Sequence, residues 1–178
     1  MNGRNLIFLD VDGVLNNDST KQRTPGGFIG IDPKNLKNLW KIICETGAYI
    51  VLSSSWRTCW DKAGDPDEDG KYLINELSKS GIEIFAFTPK CSSRYRRGLE
   101  IFTFLEDCPC DGFVILDDEE FEFGECGLNN HFVNTNYLCG LTSEDAEEAI
   151  RIINGENEEN NAHYAHSYSN REHRGRKL

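Results

Sequence analysis

A four-residue apolar run, Leu6-Ile7-Phe8-Leu9, leads straight into Asp10-Val11-Asp12-Gly13. This stretch constrains the chain more than any other. A short apolar run closed by a turn signal reads as a buried strand. Carboxylates at the end of such a strand lose hydration, so something must compensate them, and a divalent cation is the natural candidate. Side chains alternate across a strand, so Asp10 and Asp12 lean to the same side. They do so at the carboxyl end, where open parallel sheets hold their ligands. A strand followed by a plain Asp-Gly turn is the competing reading. These ten residues leave both open.

The pattern then repeats along the chain. Asp32-Pro33 predicts a helix start, with Asp32 as N-cap and Pro33 in the first turn. Leu36, Leu39, Trp40 and Ile43 supply an apolar face, and Gly47 the stop. Ala48–Leu52 is a second buried strand running into Ser53-Ser54-Ser55-Trp56-Arg57. A helix is expected over 71–80 (Leu73, Ile74, Leu77), then a strand over 82–87, nearer an edge because Glu83 interrupts it. A basic loop with Lys90, Arg94, Arg96 and Arg97 precedes a helix over 98–107, with Leu99, Phe102 and Leu105 inward. Phe113–Leu116 is a fourth strand, ending in Asp117-Asp118. A short strand over 131–135 follows, then a helix capped by Thr142 with Asp145 three residues on, in a capping-box arrangement. Ala146, Ala149, Ile150 and Ile153 form its apolar face. Strands alternating with helices predict an α/β fold with a mostly parallel sheet covered on both faces.

Two connections stand out. Residues 16–30 are rich in Asn, Ser, Thr, Gly and Pro and leave the strand end that carries the acids, so they read as a loop able to cover it. Residues 58–70 carry five acids but miss the glycine and glutamate positions of a calcium loop, and read as a solvated turn. From Gly155 to Leu178 hydrophobic periodicity vanishes, which predicts a flexible or loosely docked polar tail beside one domain over 1–154. His163 and His166 in that tail have no matching ligand pair.

The net charge of −11 removes any general attraction to polyphosphate backbones, so a nucleic-acid partner needs a local basic patch. No apolar run approaches membrane-span length, and no secretory apolar region is seen near Met1. The seven cysteines include no CxxC pair, and Cys108-Pro109-Cys110 is too tight for an ordinary zinc half-site. Reduced thiols in a cytoplasm are the expectation.

Three apolar strands thus end in polar groups of complementary kinds: Asp10 and Asp12, Ser53 and Ser54, Asp117 and Asp118. An arginine cluster precedes the helix that leads to the last pair. In a parallel sheet these ends converge on one crevice. Carboxylate oxygens suit Mg²⁺. An aspartate can attack phosphorus, a second acid can move the proton, and hydroxyls with a cation can hold the phosphoryl oxygens.

Asp10-Val11-Asp12-Gly13-Val14 resembles the DxDx[TV] signature of the haloacid-dehalogenase-like (HAD) hydrolase superfamily, and the other motifs follow in its order. The resemblance covers about residues 5–154 and implies a Rossmann-like three-layer sandwich with sheet order 5-4-1-2-3. It implies Asp10 as nucleophile and Mg²⁺ ligand, and Asp12 as general acid/base that gives the metal its backbone carbonyl. Ser53 best matches the phosphate-binding second motif, with Ser54 the runner-up. Arg97 best fits the third, with Arg96 and Arg94 behind it. Asp117 and Asp118 form the fourth, Asp117 being expected nearer the metal.

Ile50–Arg57, Arg97–Ile101 and Val114–Asp118 look most like the HAD domain of Swiss Army Knife RNA-repair proteins and their stand-alone relatives, a branch proposed to remove phosphates from RNA ends. Trp56 would then stack on a base and Arg57 bind a phosphate. Core packing of Trp56 and a salt bridge of Arg57 are the competing expectations. The gaps between motifs leave no room for a large cap, so a capless or small-cap site is expected. The resemblance thus implies a cytoplasmic Mg²⁺-dependent phosphatase of nucleic-acid ends or nucleotides. A phosphatase of small metabolites or phosphoproteins, and a non-catalytic phosphate- and metal-binding module, are the alternatives.

Overall fold

β1 (Asn5–Leu9) sits at the centre of a five-stranded, all-parallel sheet in the order β3-β2-β1-β4-β5. The other strands are β2 (Tyr49–Leu52), β3 (Ile84–Phe87), β4 (Gly112–Asp117) and β5 (Phe132–Asn134). This is the expected order, read from the opposite edge. The computed structural model describes residues 4–91 and 96–156. Arg94 and most of the expected tail, including His163 and His166, lie outside them. No helix of the described residues is long and apolar enough to cross a membrane.

Strand alternation divides the core in two. Ile7 and Leu9 of β1, with Ile50, Leu52, Val114 and Leu116, face one side. There they meet α1 (Pro33–Thr46), α2 (Glu68–Ser78) and α4 (Ser143–Ile153). Leu6 and Phe8, with Val51, Phe113 and Ile115, face the other side, against Ile101 and Leu105 of α3 (Arg97–Asp107) and against Phe123 and Leu128. β1 is buried on both faces, as its unbroken apolar run requires. The result is the three-layer Rossmann-like architecture.

Local signals set the helix ends. The Asp32 side chain accepts from the Lys34 N–H, and Gly47 closes α1 at φ +64°. Thr142 and Asp145 complete the capping box of α4. α2 begins earlier than its apolar residues suggest, because the Asp67 carboxylate accepts from the N–H groups of Asp69 and Gly70. Helix faces are rotated slightly from expectation. Ile42 is buried in α1 while Trp40 is 47 % exposed, Ile101 rather than Phe102 is the buried residue in mid-α3, and Ile74 of α2 is exposed. β3 is the edge strand that Glu83 suggests, although it starts at Ile84.

The segment between β1 and α1 is a small hairpin closed by an antiparallel bridge between Arg23 and Ile29. It is pinned to α2. The Gly26 N–H donates to the Asp69 carboxylate at 2.7 Å, and the Ile31 N–H donates to the Tyr72 hydroxyl at 3.1 Å. A Cβ on Gly26 would lie 2.0 Å from that carboxylate, so only glycine allows the approach.

A buried amide network fixes the base of this hairpin. Asn17 Nδ2 donates to Asn35 Oδ1 at 2.9 Å, and Asn35 Nδ2 donates to the carbonyls of Cys139 and Leu141. α1, the loop after β1 and the loop before α4 are thereby joined at one side chain. Asn35→Ala would strand these buried groups. It should cost on the order of 3 kcal/mol, read as a lower urea midpoint at unchanged slope.

Candidate active site

Successive strands extend past their ends by one further backbone bond. Asp10 N–H donates to the Leu116 carbonyl at 2.9 Å, Ser53 N–H to Leu9 at 2.9 Å and Thr135 N–H to Asp117 at 2.9 Å. The chemical side chains therefore stand on the ladder itself rather than on free loop. Carboxylate oxygens of Asp10, Asp117 and Asp118 lie within 4.8 Å of one another. Asp10 is 7 % exposed and Asp117 1 %.

Arg97, the first residue of α3, reaches into this cluster. Its guanidinium lies 3.0 Å from Asp10 Oδ2, makes a shorter contact with Asp117 Oδ2, and covers the Phe121 ring at 4.6 Å. Burial works against the guanidinium charge, but the Asp10 and Asp117 carboxylates outweigh it and push its pKa up. Of the arginines considered for the third motif, Arg97 is thus the one placed against the acids among the described residues. Arg96 is exposed, its charge acting on Cys126.

Two buried polar atoms among the described residues have no hydrogen-bond partner: Asp10 Oδ1 and Ser53 Oγ. Buried orphans are rare in folded chains and point to a missing ligand. Ser54, the other candidate, serves as an acceptor: its Oγ caps the short 3-10 helix Ser55–Cys59 by accepting from the Trp56 N–H.

The free oxygen of Asp10, within a set of oxygen donors only, fits a hard divalent cation. The electrostatics agree. Burial, then the Asp10 charge, raise the Asp117 pKa well above the carboxylate range, against the lowering influence of Arg97. Burial and Asp10 push Asp118 up to about 6. The cluster holds more negative charge than Arg97 neutralises.

Asp12 lies apart from this cluster and is half-buried. Its Oδ2 accepts from the Trp56 indole N–H at 2.9 Å, and its Oδ1 from Asn16 Nδ2 at 2.9 Å. Asn16 also accepts from the Gly13 N–H. Sequence reasoning missed Asn16, whose only local signal is its place four residues after Asp12. It also missed Thr135, whose hydroxyl donates to the Gly13 carbonyl at 2.8 Å. Gly13 has φ +70°, and a Cβ there would fall 2.2 Å from Asp118 Oδ2. The glycine lets the first acid loop pack against the fourth-motif acid.

Trp56 and Arg57 do not sit as substrate contacts. Trp56 is 3 % exposed. Arg57 is buried, and its donors go to the Ser54 carbonyl, to Thr88, to the Pro89 carbonyl and to Glu100 Oε2 at 2.7 Å. A guanidinium so engaged has no fork to offer a phosphate. It ties the loop after β2 to α3 instead.

A family model described as the HAD domain in Swiss Army Knife RNA repair proteins matches residues 6–146. The chain belongs to this family. The match spans β1 through the first turns of α4, and so includes every element that brings a side chain to the site. Comparison with curated proteins and with solved structures finds no match. The HAD domain is a hydrolase, and among the described residues its Asp10, Asp117 and Asp118 form a group that could hold a metal ion.

The raised acids set a pH dependence. A carboxyl group whose folded pKa lies above its unfolded value stabilises fully below the unfolded value, near 4, and loses that contribution as pH rises through the folded value. The metal-free HAD domain should lose stability between pH 5 and pH 7.5, and Asp118→Asn should flatten that loss. Mg²⁺ competes with the same protons, so it should raise the Tm more at pH 7.5 than at pH 5. Thermal melts with and without Mg²⁺ at both pH values check both statements.

Proposed function

We propose that this HAD domain is a Mg²⁺-dependent phosphohydrolase that works through an aspartyl-phosphate on Asp10. The observation that carries this reading is the buried, unpartnered Oδ1 of Asp10, beside the orphan Ser53 hydroxyl and the Arg97-bridged acids. A carboxylate oxygen kept free in a buried site is a nucleophile in waiting.

In this mechanism Asp10 Oδ1 bonds to phosphorus as the ester P–O bond breaks. Asp12 gives its proton to the leaving oxygen. Asp12, now a carboxylate, then takes a proton from water as the water oxygen bonds to phosphorus and the Asp10–P bond breaks. Phosphate leaves and both aspartates are restored. Ser53 Oγ–H donates to a phosphoryl oxygen. Arg97 fixes the Asp10 carboxylate so that Oδ2 is occupied and Oδ1 is presented. Asp10, Asp117 and Asp118, with the Asp12 carbonyl, would hold Mg²⁺, which when bound neutralises charge between the phosphate and the acids.

For the substrate we infer RNA ends: the family description names RNA repair proteins, and one surface feature supports a nucleotide beside the phosphate. A cleft of about 290 Å³ opens at the carboxyl edge of β3, lined by Trp60, Phe87, Lys62 and Lys90 among others. Trp60 and Phe87 pack edge to face at 5.1 Å, and Phe87 is 40 % exposed. Rings beside lysines suit a base and its phosphate on a chain whose net charge is −11. The free cysteines suit a reducing cytoplasm.

Hydrolysis of p-nitrophenyl phosphate with Mg²⁺ tests the class. Asp10→Asn should lower kcat on the order of 10³-fold or more. A screen of 3′- and 5′-phosphorylated oligonucleotides against nucleotides, sugar phosphates and phosphoproteins tests the substrate. Trp60→Ala should raise KM roughly tenfold for the preferred oligonucleotide and leave p-nitrophenyl phosphate unchanged. Equal low activity on all classes would sink the nucleic-acid reading and leave the phosphatase intact.

A further inference from the structure

Asp12 is gripped from both sides, and the chemistry of the two partners matters. The Trp56 indole N–H reaches Oδ2 and the Asn16 amide reaches Oδ1, each at 2.9 Å. An indole is a donor only. The Asn16 oxygen, the one acceptor on that side chain, already receives the Gly13 N–H at 3.0 Å. Neither partner can therefore take a proton from Asp12. A histidine in either place could.

The clamp is also rigid. Trp56 is buried, its backbone N–H is held by the Ser54 cap, and the Phe28 ring packs on its indole at 5.4 Å. Asn16 is fully buried, and its amide also donates to the Ile29 carbonyl. Each carboxyl oxygen keeps one lone pair outside the clamp. We propose that Trp56 is a positioning residue for the proton-transfer step, with Asn16 as the second jaw. It fixes the plane of the Asp12 carboxyl and leaves the proton one destination, the leaving oxygen of a phosphate ester. This inference rests on the phosphohydrolase reading above. It assigns Trp56 to the acid, where the sequence suggests a base-stacking role.

Leaving groups separate this role from simple packing. p-Nitrophenolate departs without protonation, whereas a simple alkoxide needs the proton. Trp56→Phe keeps most of the ring volume and removes only the donor. The comparison is made on kcat/KM, which reports only through departure of the leaving group and so omits the later step in which Asp12 takes a proton from water. With Mg²⁺ present, kcat/KM for a simple alkyl phosphate should fall between about 10- and 100-fold, within the range for general-acid catalysis. The kcat/KM for p-nitrophenyl phosphate should change less than about threefold, because its leaving group needs no acid. In the Asp12→Asn background, Trp56→Phe should add no further loss on the alkyl ester, since the two residues act as one unit. Trp56→His, which restores a ring N–H, should recover part of the alkyl rate.

A second readout needs no turnover. The indole N–H resonance that Trp56→Phe removes should be the one that Asp12→Asn shifts most in a ¹⁵N spectrum of the native chain. Should the Phe variant fail to fold, Trp56→Leu serves the same comparison. Equal losses on both esters in any folded variant lacking the donor overturn the proposal, as do losses that multiply with Asp12→Asn. Absence of hydrolysis by the native chain on either ester would instead overturn the phosphohydrolase reading, and this inference with it.

Discussion

The Arg97 guanidinium is the interaction on which the rest of the site depends. Asp10 and Asp117 are both buried at the carboxyl edge of adjacent strands, where their charges repel and water is scarce. Arg97 bridges them, and helix α3 holds it there from its first residue. Phe121 lies under the guanidinium, so the cation is braced by a ring as well as by two acids. Burial, and then the Asp10 charge, make Asp117 and Asp118 hold protons more tightly than free carboxyls do, and one cation does not balance the three neighbouring acids. The fold thus reaches the site with a residual charge deficit. That deficit is what a divalent ion would remove.

The loop after β1 carries the opposite problem. It must be rigid enough to hold Asp12. Val11, Val14, Leu15 and Ile31 root its two ends in the core, and amides and glycines order the stretch between them. Asn16 spans Asp12, Gly13 and Ile29, while Asn17 and Asn35 tie the loop to α1 and to the segment before α4. Such a network is worth having only when every member is satisfied, and here each of these amides has partners. Gly13 and Gly26 let carboxylates approach closer than any Cβ would permit. The hairpin is consequently fastened to α2 rather than free to swing on it.

Features set by near neighbours in the chain are legible in the sequence alone. The α1 cap at Asp32, its stop at Gly47 and the capping box at Thr142 follow from residues two to four apart, and all three form. The buried strands follow from apolar runs, and their order is what the resemblance to the HAD superfamily implies. Side-chain orientation at the end of β2 is not legible in this way. Arg57 finds Glu100, 43 positions away, and Trp56 finds Asp12, 44 positions away. Nothing local distinguishes a guanidinium that binds phosphate from one that binds a distant glutamate. The choice between Ser53 and Ser54 has the same character, because only the 3-10 helix after them claims one hydroxyl as its cap.

The placement of the orphan atoms explains why this site can be both unsatisfied and exact. Asp10 and Ser53 are the first residues past β1 and β2, and each still donates its N–H to the neighbouring strand. Their backbones are therefore as fixed as the strands, while their side chains are the first to escape the closed apolar layer. A residue one step earlier would be locked in the core, because Leu9 and Leu52 are fully buried. A residue several steps later would sit on loop, with its position set by weaker contacts. The sheet edge is where an unsatisfied polar atom can be held in place by the ladder without the ladder satisfying it, and preorganisation of that kind is what electrostatic catalysis requires.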